Sequence, residues 1–411
     1  MRECVVVEGV RTPTGKSGWK GMAKGGQFAN ISAQDLLASA VEGLVEKVKQ
    51  KCEKFKEEEI EDVAVACLSQ IGEQGGNLGR IVALAAGLGK SVPGWTIDRQ
   101  APGGLQAINA QAQAIISGCG DIMIAAGVEH MSHYPMGSTV PGVEGAIFPM
   151  IVSERSQRSS AMSMPMGHAA EMVAEKYNLK REELDKFGLR SHQKAVKTMR
   201  DLKSYKKRVV PVTVLKGDKK EIIGEVDETP RPSALDNPEE AYEKMKTLKP
   251  SFNVEGMVTA GNSSGIADGA AAVMLMSGEK AKELGIKPLA RIVSMAVAAS
   301  DPHIMLLGPI PAMNKAFNRA GLQMKDIDVF EPNEAFASPV LAFCKEYGIA
   351  FDDERINPTG GAIALGHPIG ASGVIYFLEM VHYLAENNLK YGIQTLSGGS
   401  GVGIATIVSR E

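Results

Sequence analysis

Thr96-Ile97-Asp98-Arg99-Gln100-Ala101-Pro102-Gly103-Gly104-Leu105-Gln106-Ala107 carries the chain out of a strand, round a turn and into a helix. A residue at such a junction lies beside backbone N–H groups that have no partner inside the helix, and the helix dipole adds partial positive charge. A cysteine in that setting has a depressed pKa and is a good nucleophile. Ala101 stands there instead and offers only its backbone N–H. Read by itself, the segment is more simply a plain Gly-rich turn that packs a helix on a sheet.

Outward from this turn, short β-rich runs at 5–7, 63–66, 95–97 and 122–126 alternate with helical patterns at 32–54, 77–86 and 104–117. Short apolar strands alternating with helices predict a parallel sheet covered on both faces. A similar series returns near the C-terminus. It has strands at 290–297 and 328–330, a helix at 335–347, a Gly-rich turn, a helix at 370–385, and closing strands at 392–396 and 403–408. In each series a Gly-Gly pair precedes a helix, Gly103-Gly104 in the first and Gly360-Gly361 in the second. This shared order predicts a duplicated α/β unit.

Residues 131–251 differ in kind. They open rich in Met, Ser and Pro, turn charged and helical over 181–203, and carry a basic stretch through Lys206, Lys207, Arg208, Lys219 and Lys220. They read as an insertion, and long insertions in such folds often line the ligand site. The expected organisation is a half at 1–130 completed by about 252–280, an inserted domain at 131–251, and a second half at 281–411.

A chain of 411 residues exceeds one hydrophobic core and predicts two or three domains. The net charge of −3 argues against general attraction to nucleic acid or membrane surfaces. Five scattered cysteines without a CxxC pair suggest neither a disulfide framework nor a zinc site, and they fit a reducing compartment. Met1 leads straight into an apolar strand, and no apolar run is long enough to span a bilayer. A soluble, cytoplasmic protein is expected.

Four further segments carry side chains or glycines suited to chemistry. Glu331-Pro332-Asn333-Glu334-Ala335-Phe336-Ala337 follows a strand, where an Asn amide can hold a water or a carbonyl oxygen, or simply cap a helix. Asn357-Pro358-Thr359-Gly360-Gly361-Ala362-Ile363-Ala364-Leu365-Gly366-His367-Pro368-Ile369-Gly370-Ala371-Ser372-Gly373 sets His367 on a rigid Gly/Pro turn, where a neutral imidazole donates one hydrogen bond and accepts another. Thr395-Leu396-Ser397-Gly398-Gly399-Ser400-Gly401 is a Gly-rich turn between two strands; no helix follows it, which excludes a dinucleotide fingerprint. Val258-Thr259-Ala260-Gly261-Asn262-Ser263-Ser264-Gly265-Ile266-Ala267-Asp268-Gly269-Ala270-Ala271 is dense in small residues, as a narrow ligand tunnel or a tight strand–helix junction requires. His130-Met131-Ser132-His133 has H-x-x-H spacing but no acid or cysteine at helical offsets, so no metal site is expected.

Taken in order, these segments, with Arg11-Thr12-Pro13-Thr14-Gly15 near the start and Leu189-Arg190-Ser191-His192-Gln193-Lys194-Ala195 inside the insertion, resemble the thiolase family over essentially the whole chain. The resemblance implies a duplicated five-layer α/β/α/β/α core with an inserted loop domain, assembled as homodimers or homotetramers. It implies exchange of acyl groups between coenzyme A thioesters, making or breaking a 3-ketoacyl-CoA, with no tightly bound cofactor. In the family a nucleophilic cysteine stands where Ala101 is here, and a second, proton-shuttling cysteine where Ser397 is. His367 matches the histidine that activates the nucleophile and helps bind the thioester oxygen; Asn333 matches the asparagine that orients a water in the same oxyanion hole. Backbone N–H groups at Ala101 and Gly399 match a second hole. Ser264 matches a serine contacting the pantetheine arm, and Met166 and Phe336 are expected on the same substrate wall. Met164-Pro165-Met166-Gly167-His168-Ala169-Ala170-Glu171 resembles the family's Met-Gly segment, but Pro165 replaces the histidine of biosynthetic acetoacetyl-CoA thiolases, which leans toward the degradative, 3-ketoacyl type.

The departures bear on the reaction. Backbone donors do not depend on the side chain, so binding can survive while covalent catalysis cannot. A serine hydroxyl at 397 is far less acidic than a thiol of pKa about 8.5. Three readings follow: a thiolase whose cysteines were replaced to trap substrate; a divergent enzyme using its oxyanion groups non-covalently, for instance to cleave 3-ketoacyl-CoA with water; or an acyl-CoA-binding or structural subunit. Two different replacements, together with Pro102 and Ser400 where the family has a small residue and a glycine, weigh against simple replacement.

Overall fold

The computed structural model describes residues 2–18, 25–139 and 165–410. Its strands are β1 (Cys4–Arg11), β2 (Gly15–Lys16), β3 (Asp62–Ala66), β4 (Trp95–Ile97), β5 (Ile122–His130), β6 (Val212–Lys216), β7 (Lys219–Gly224), β8 (Ala267–Ser277), β9 (Ala290–Ala299), β10 (Val329–Pro332), β11 (Tyr391–Ser397) and β12 (Val402–Ser409). Its α-helices are α1 (Ala33–Lys51), α2 (Leu78–Ala85), α3 (Gly103–Ser117), α4 (Met166–Lys176), α5 (Arg181–Arg200), α6 (Leu202–Arg208), α7 (Ser233–Asp236), α8 (Pro238–Lys246), α9 (Gly278–Glu283), α10 (Pro309–Ala320), α11 (Ala337–Tyr347), α12 (Ala362–Leu365) and α13 (Ile369–Glu386).

The main sheet runs β10-β11-β12-β9-β1-β8-β5-β3-β4. A short pairing of Val5 and Val6 with Arg291 and Ala290 joins its two halves. Each half repeats one order: β3-β5-β8-β1 in the first, β10-β11-β12-β9 in the second. Pair directions repeat as well, parallel for β3/β5 and β10/β11, antiparallel for the others. The duplication expected from the sequence is therefore present in topology.

The expectation of a parallel sheet is corrected: among the strands of the described residues, parallel pairing is confined to β3 with β4, β3 with β5, and β10 with β11. β12 follows β11 through the short turn at 398–401, which only an antiparallel pair can use. The small-residue segment at 258–271 leads into β8 and is not a strand–helix junction.

Strand residues alternate between two buried faces, so the strands read as continuous apolar runs. On the outer side of the first half, Val5, Val63, Ile124 and Met274 pack against Leu36, Leu44 of α1 and Leu78, Val82 of α2. On the inner side, Ala66, Met123 and Val273 meet Leu105 and Ile108 of α3 and Val374 and Phe377 of α13. The same helical pair receives Leu396, Ile404 and Val408 from the second half. That half's outer face carries Ile393 and Ile407 against Met313 of α10 and Leu341 of α11. The layers thus run helix, sheet, helix, sheet, helix, with α3 and α13 in the middle.

The two central helices cross at glycines. A Cβ on Gly104 would lie 2.8 Å from the Val374 nitrogen, and one on Gly373 would lie 2.2 Å from the Leu105 nitrogen. Backbone approaches backbone here, which brings the turns that precede both helices to one end of the central layer.

Candidate active site

A cavity of about 350 Å³ opens where those turns converge, within the usual range for a small-ligand site. Ala101, Met166, Ser264, Phe336, His367 and Gly399 all stand on its wall. Asn333 and Ser397 do not; Ser397 directly precedes wall residue Gly398, and Asn333 lies two positions before wall residue Ala335. Met164 and the preceding Met/Ser/Pro-rich residues from 140 lie outside the described residues.

The first turn begins where β4 ends. Asp98 accepts a hydrogen bond from the Gln100 N–H at 2.6 Å, and Gln100 is held at φ 57°. Positive φ costs a non-glycine residue about 1–2 kcal/mol, a strain that collects at functional turns. Ala101 is 6% exposed, and Pro102 leads into α3 without a side-chain cap. The second turn links β11 to β12, with Ser400 at φ 61° and Gly401 at φ 89°. The turns touch: a Cβ on Gly398 would lie 3.0 Å from Pro102 Cδ and 3.2 Å from Gln100 Oε1. The Ala101 and Gly399 amides donate to no acceptor among the described residues. Two unpaired N–H groups at touching turns on one wall are the material of an oxyanion hole.

Ser400→Gly should relieve the strain of the second turn. Allowing for the greater chain entropy of glycine when unfolded, the variant is expected to be more stable by about 0.5–1 kcal/mol. Chemical denaturation checks this, and a lower midpoint would show that the Ser400 side chain is needed where it is.

His367 is anchored from several sides. Its N–H donates to the Gly265 carbonyl at 2.8 Å, and Tyr376 donates to the carbonyl of Gly366, itself at φ 84°. Ring Nδ1 lies 2.6 Å from Ser372 Oγ, and that hydroxyl donates to the Pro368 carbonyl at 2.9 Å. The hydroxyl proton is thereby used, so Nδ1 carries the imidazole proton and Nε2 keeps a lone pair. Burial holds the imidazole pKa down to about 4, which keeps the ring neutral at physiological pH.

The Asn333 backbone N–H donates to the Thr395 carbonyl at 2.9 Å, tying the ends of β10 and β11. Its side chain is 9% exposed, and neither amide atom has a hydrogen-bond partner. The alternative of a helix cap is overturned: α11 starts at Ala337 with Phe336 in the cap position. A buried amide without a partner costs about 1–3 kcal/mol, and with no protein partner these two atoms suit a water or ligand oxygen.

Two buried carboxylates that shape this wall were not legible as site residues. Glu129 accepts from the N–H groups of Leu68, Ser69 and Gly370, each at 3.0 Å, pinning the Leu68–Ser69 wall segment to the start of α13. Glu334 accepts from Ser191 Oγ at 2.5 Å, Asn357 Nδ2 at 2.7 Å and the Ile363 N–H at 3.2 Å. It thereby binds α5 of the insertion to the Asn333 turn and to α12. Asp98 joins the cavity wall as well. Each lies within or beside a quoted motif, but only long-range contacts reveal what it holds.

Other candidates resolve differently. The basic stretch stays off the cavity wall: Arg208 is buried against Glu379 and Glu386, Lys207 pairs with Glu386 and Lys220 with Glu42. His130 and His133 gain Glu73 as a neighbour from far along the chain, their ligand atoms lying within 4.8 Å of one another. His133 spans the Glu73 carboxylate at 2.9 Å and the Ala29 carbonyl at 2.8 Å, and His130 Nε2 meets the Phe28 carbonyl at 3.1 Å, so hydrogen bonds account for the group. None of the five cysteines is on the cavity wall. Cys67, beside wall residue Leu68, has its thiol pKa pushed far up by burial.

Comparison with known proteins gives one answer over the full length. Residues 4–279 match the family described as thiolase, N-terminal domain, and residues 286–410 match thiolase, C-terminal domain. The 3-ketoacyl-CoA thiolase of Bacillus subtilis (strain 168) is 39% identical over 415 residues, covering 99% of each chain. The 3-ketoacyl-CoA thiolase of Idiomarina loihiensis is 39% identical over 416 residues, covering 100% of both. The crystal structure of the Bacillus anthracis acetyl-CoA acetyltransferase superposes with a TM-score of 0.83 at 34% identity, covering 100% of this chain and 99% of that one.

Proposed function

The chain belongs to the thiolase family, and from that premise we propose that it takes a 3-ketoacyl-CoA thioester into this cavity and acts on it without forming an acyl-enzyme. The observation that carries this reading is the pairing of a neutral His367, its Nε2 lone pair free, with unpaired amides at Ala101 and Gly399 on one wall. The Ala101 methyl has no lone pair to attack a carbonyl, and no cysteine on the wall replaces it.

Water then serves as nucleophile. His367 Nε2 accepts its proton as the oxygen adds to the keto carbon, and the resulting alkoxide sits against the Ala101 and Gly399 amides. Protonated His367, with a water held by Asn333, faces the thioester oxygen as the carbon–carbon bond breaks. Ser264, Met166 and Phe336 hold the pantetheine side. The products are a carboxylic acid and a shortened acyl-CoA. A reducing cytoplasm suits the five free cysteines, and a homodimer or homotetramer follows from the family resemblance.

Product analysis with acetoacetyl-CoA tests this directly. The expected products are acetate and acetyl-CoA, formed at a rate independent of added free CoA, with no acetyl adduct on the intact protein. Turnover that requires free CoA and yields only acetyl-CoA, or an adduct mapped to the turn at 98–104, would overturn it. Tight binding with no turnover would leave a CoA-ester-binding subunit.

A further inference from the structure

We propose that Asp98 is the acid–base residue of this cavity, moving the proton at the substrate's α-carbon that Ser397 cannot move. The inference rests on the reading that the cavity holds a CoA thioester.

Asp98 stands on the wall with Ala101, Ser264, His367 and Gly399. One carboxylate oxygen takes the Gln100 N–H at 2.6 Å, which fixes the group at the head of the Ala101 turn. The second oxygen has no hydrogen-bond partner, and no cation forms an ion pair with Asp98 among the described residues. The titratable or charged groups around it are Arg99 in the same turn, the Cys67 thiol on the neighbouring segment, Glu129 behind Leu68 and Ser69, and His367 from the other half. Asp98 is open to solvent on its cavity side, and partial desolvation by the wall raises its pKa from the usual aspartate value. A serine hydroxyl ionises far above neutral pH and serves poorly as a base here, and the protonated His367 of the proposed reaction faces the thioester oxygen, not C2.

The step balances. When the bond between C2 and C3 breaks, its electron pair passes to C2 as the thioester enolate. The Asp98 carboxylate takes up the proton that His367 drew from water and delivers it to C2, which leaves His367 neutral and Asp98 ionised again. In the reverse sense, the Asp98 carboxylate withdraws a proton from the methyl of acetyl-CoA. That half-reaction needs neither a nucleophile nor carbon–carbon chemistry.

Exchange of the acetyl-CoA methyl protons for solvent deuterium, followed by NMR with the full chain, therefore tests Asp98 apart from hydrolysis. The wild-type chain is expected to catalyse exchange with a rate that rises with pH as the carboxylate forms. Asp98→Asn should lower the rate by at least about a hundredfold while leaving acetyl-CoA affinity within about twofold by calorimetry, and Asp98→Glu should recover part of it. Exchange in Asp98→Asn at the wild-type rate, or no exchange in a wild-type chain that binds acetyl-CoA, overturns the assignment. Exchange without cleavage of acetoacetyl-CoA supports Asp98 and removes the hydrolytic reading. No binding of acetyl-CoA removes both.

Discussion

Ala101→Cys combined with Ser397→Cys is expected to turn the chain into a working acyl-transfer enzyme, with CoA-dependent cleavage of acetoacetyl-CoA about 10⁴-fold above the unaltered chain. Ala101 already lines the cavity at the N-terminal end of α3, where unpaired amides and the helix dipole favour a thiolate. In the proposed reading the Nε2 lone pair of His367 takes the thiol proton, and the acyl oxygen goes to the unpaired amides of Ala101 and Gly399. Cysteine at 397 restores a group of pKa about 8.5 where serine stays protonated. Ala101→Cys alone should acylate but turn over slowly, visible as a persistent acetyl adduct in intact-mass measurement. A folded double variant that forms no adduct would mean the cavity no longer presents a thioester to position 101.

Arg11→Ala is expected to cost about 3–5 kcal/mol of stability. The Arg11 guanidinium makes a two-pronged bond to Asp227 at 2.7 and 2.9 Å and donates through Nε to Glu379 at 2.7 Å. Arg208 donates to the other Glu379 oxygen at 2.8 Å. Asp227 also accepts from the Thr14 N–H at 2.8 Å, so β1, the insertion and α13 meet in one buried charge cluster. Removing Arg11 leaves Asp227 without a counter-charge and Glu379 half-paired in a buried setting, and lysine cannot restore the fork geometry. The cluster also sets a pH dependence. The two guanidinium groups hold the Glu379 carboxyl down from 4.5 to about 2. A depressed carboxylate contributes stability that is complete above its unfolded value, so this part is lost as pH falls from about 4.5 toward 2. Arg11→Ala should flatten that acid limb. Urea midpoints measured across this range decide the matter; an unchanged midpoint at neutral pH would show that the cluster contributes no net stability.

The sequence by itself determined the layer-building elements, because burial on both faces writes apolar runs for strands and periodic apolar stripes for helices, and those patterns are local. It also located the Ala101, His367 and Ser397 turns, since Gly and Pro mark where a backbone must bend or be approached closely, and it showed that the expected thiol is missing. Strand direction was not legible: β8 and β12 carry the same apolar runs whether they pair parallel or antiparallel, and only the paths of the connections decide. Nor were Glu129, Glu334 or the Arg11–Asp227–Glu379–Arg208 cluster legible as groups. A carboxylate's partners here lie tens to hundreds of residues away, as with Arg11 and Glu379 separated by 368 positions. Only packing α3 against α13 through glycines brings the two turns together, and that proximity, created in three dimensions, is what makes one cavity from two loops.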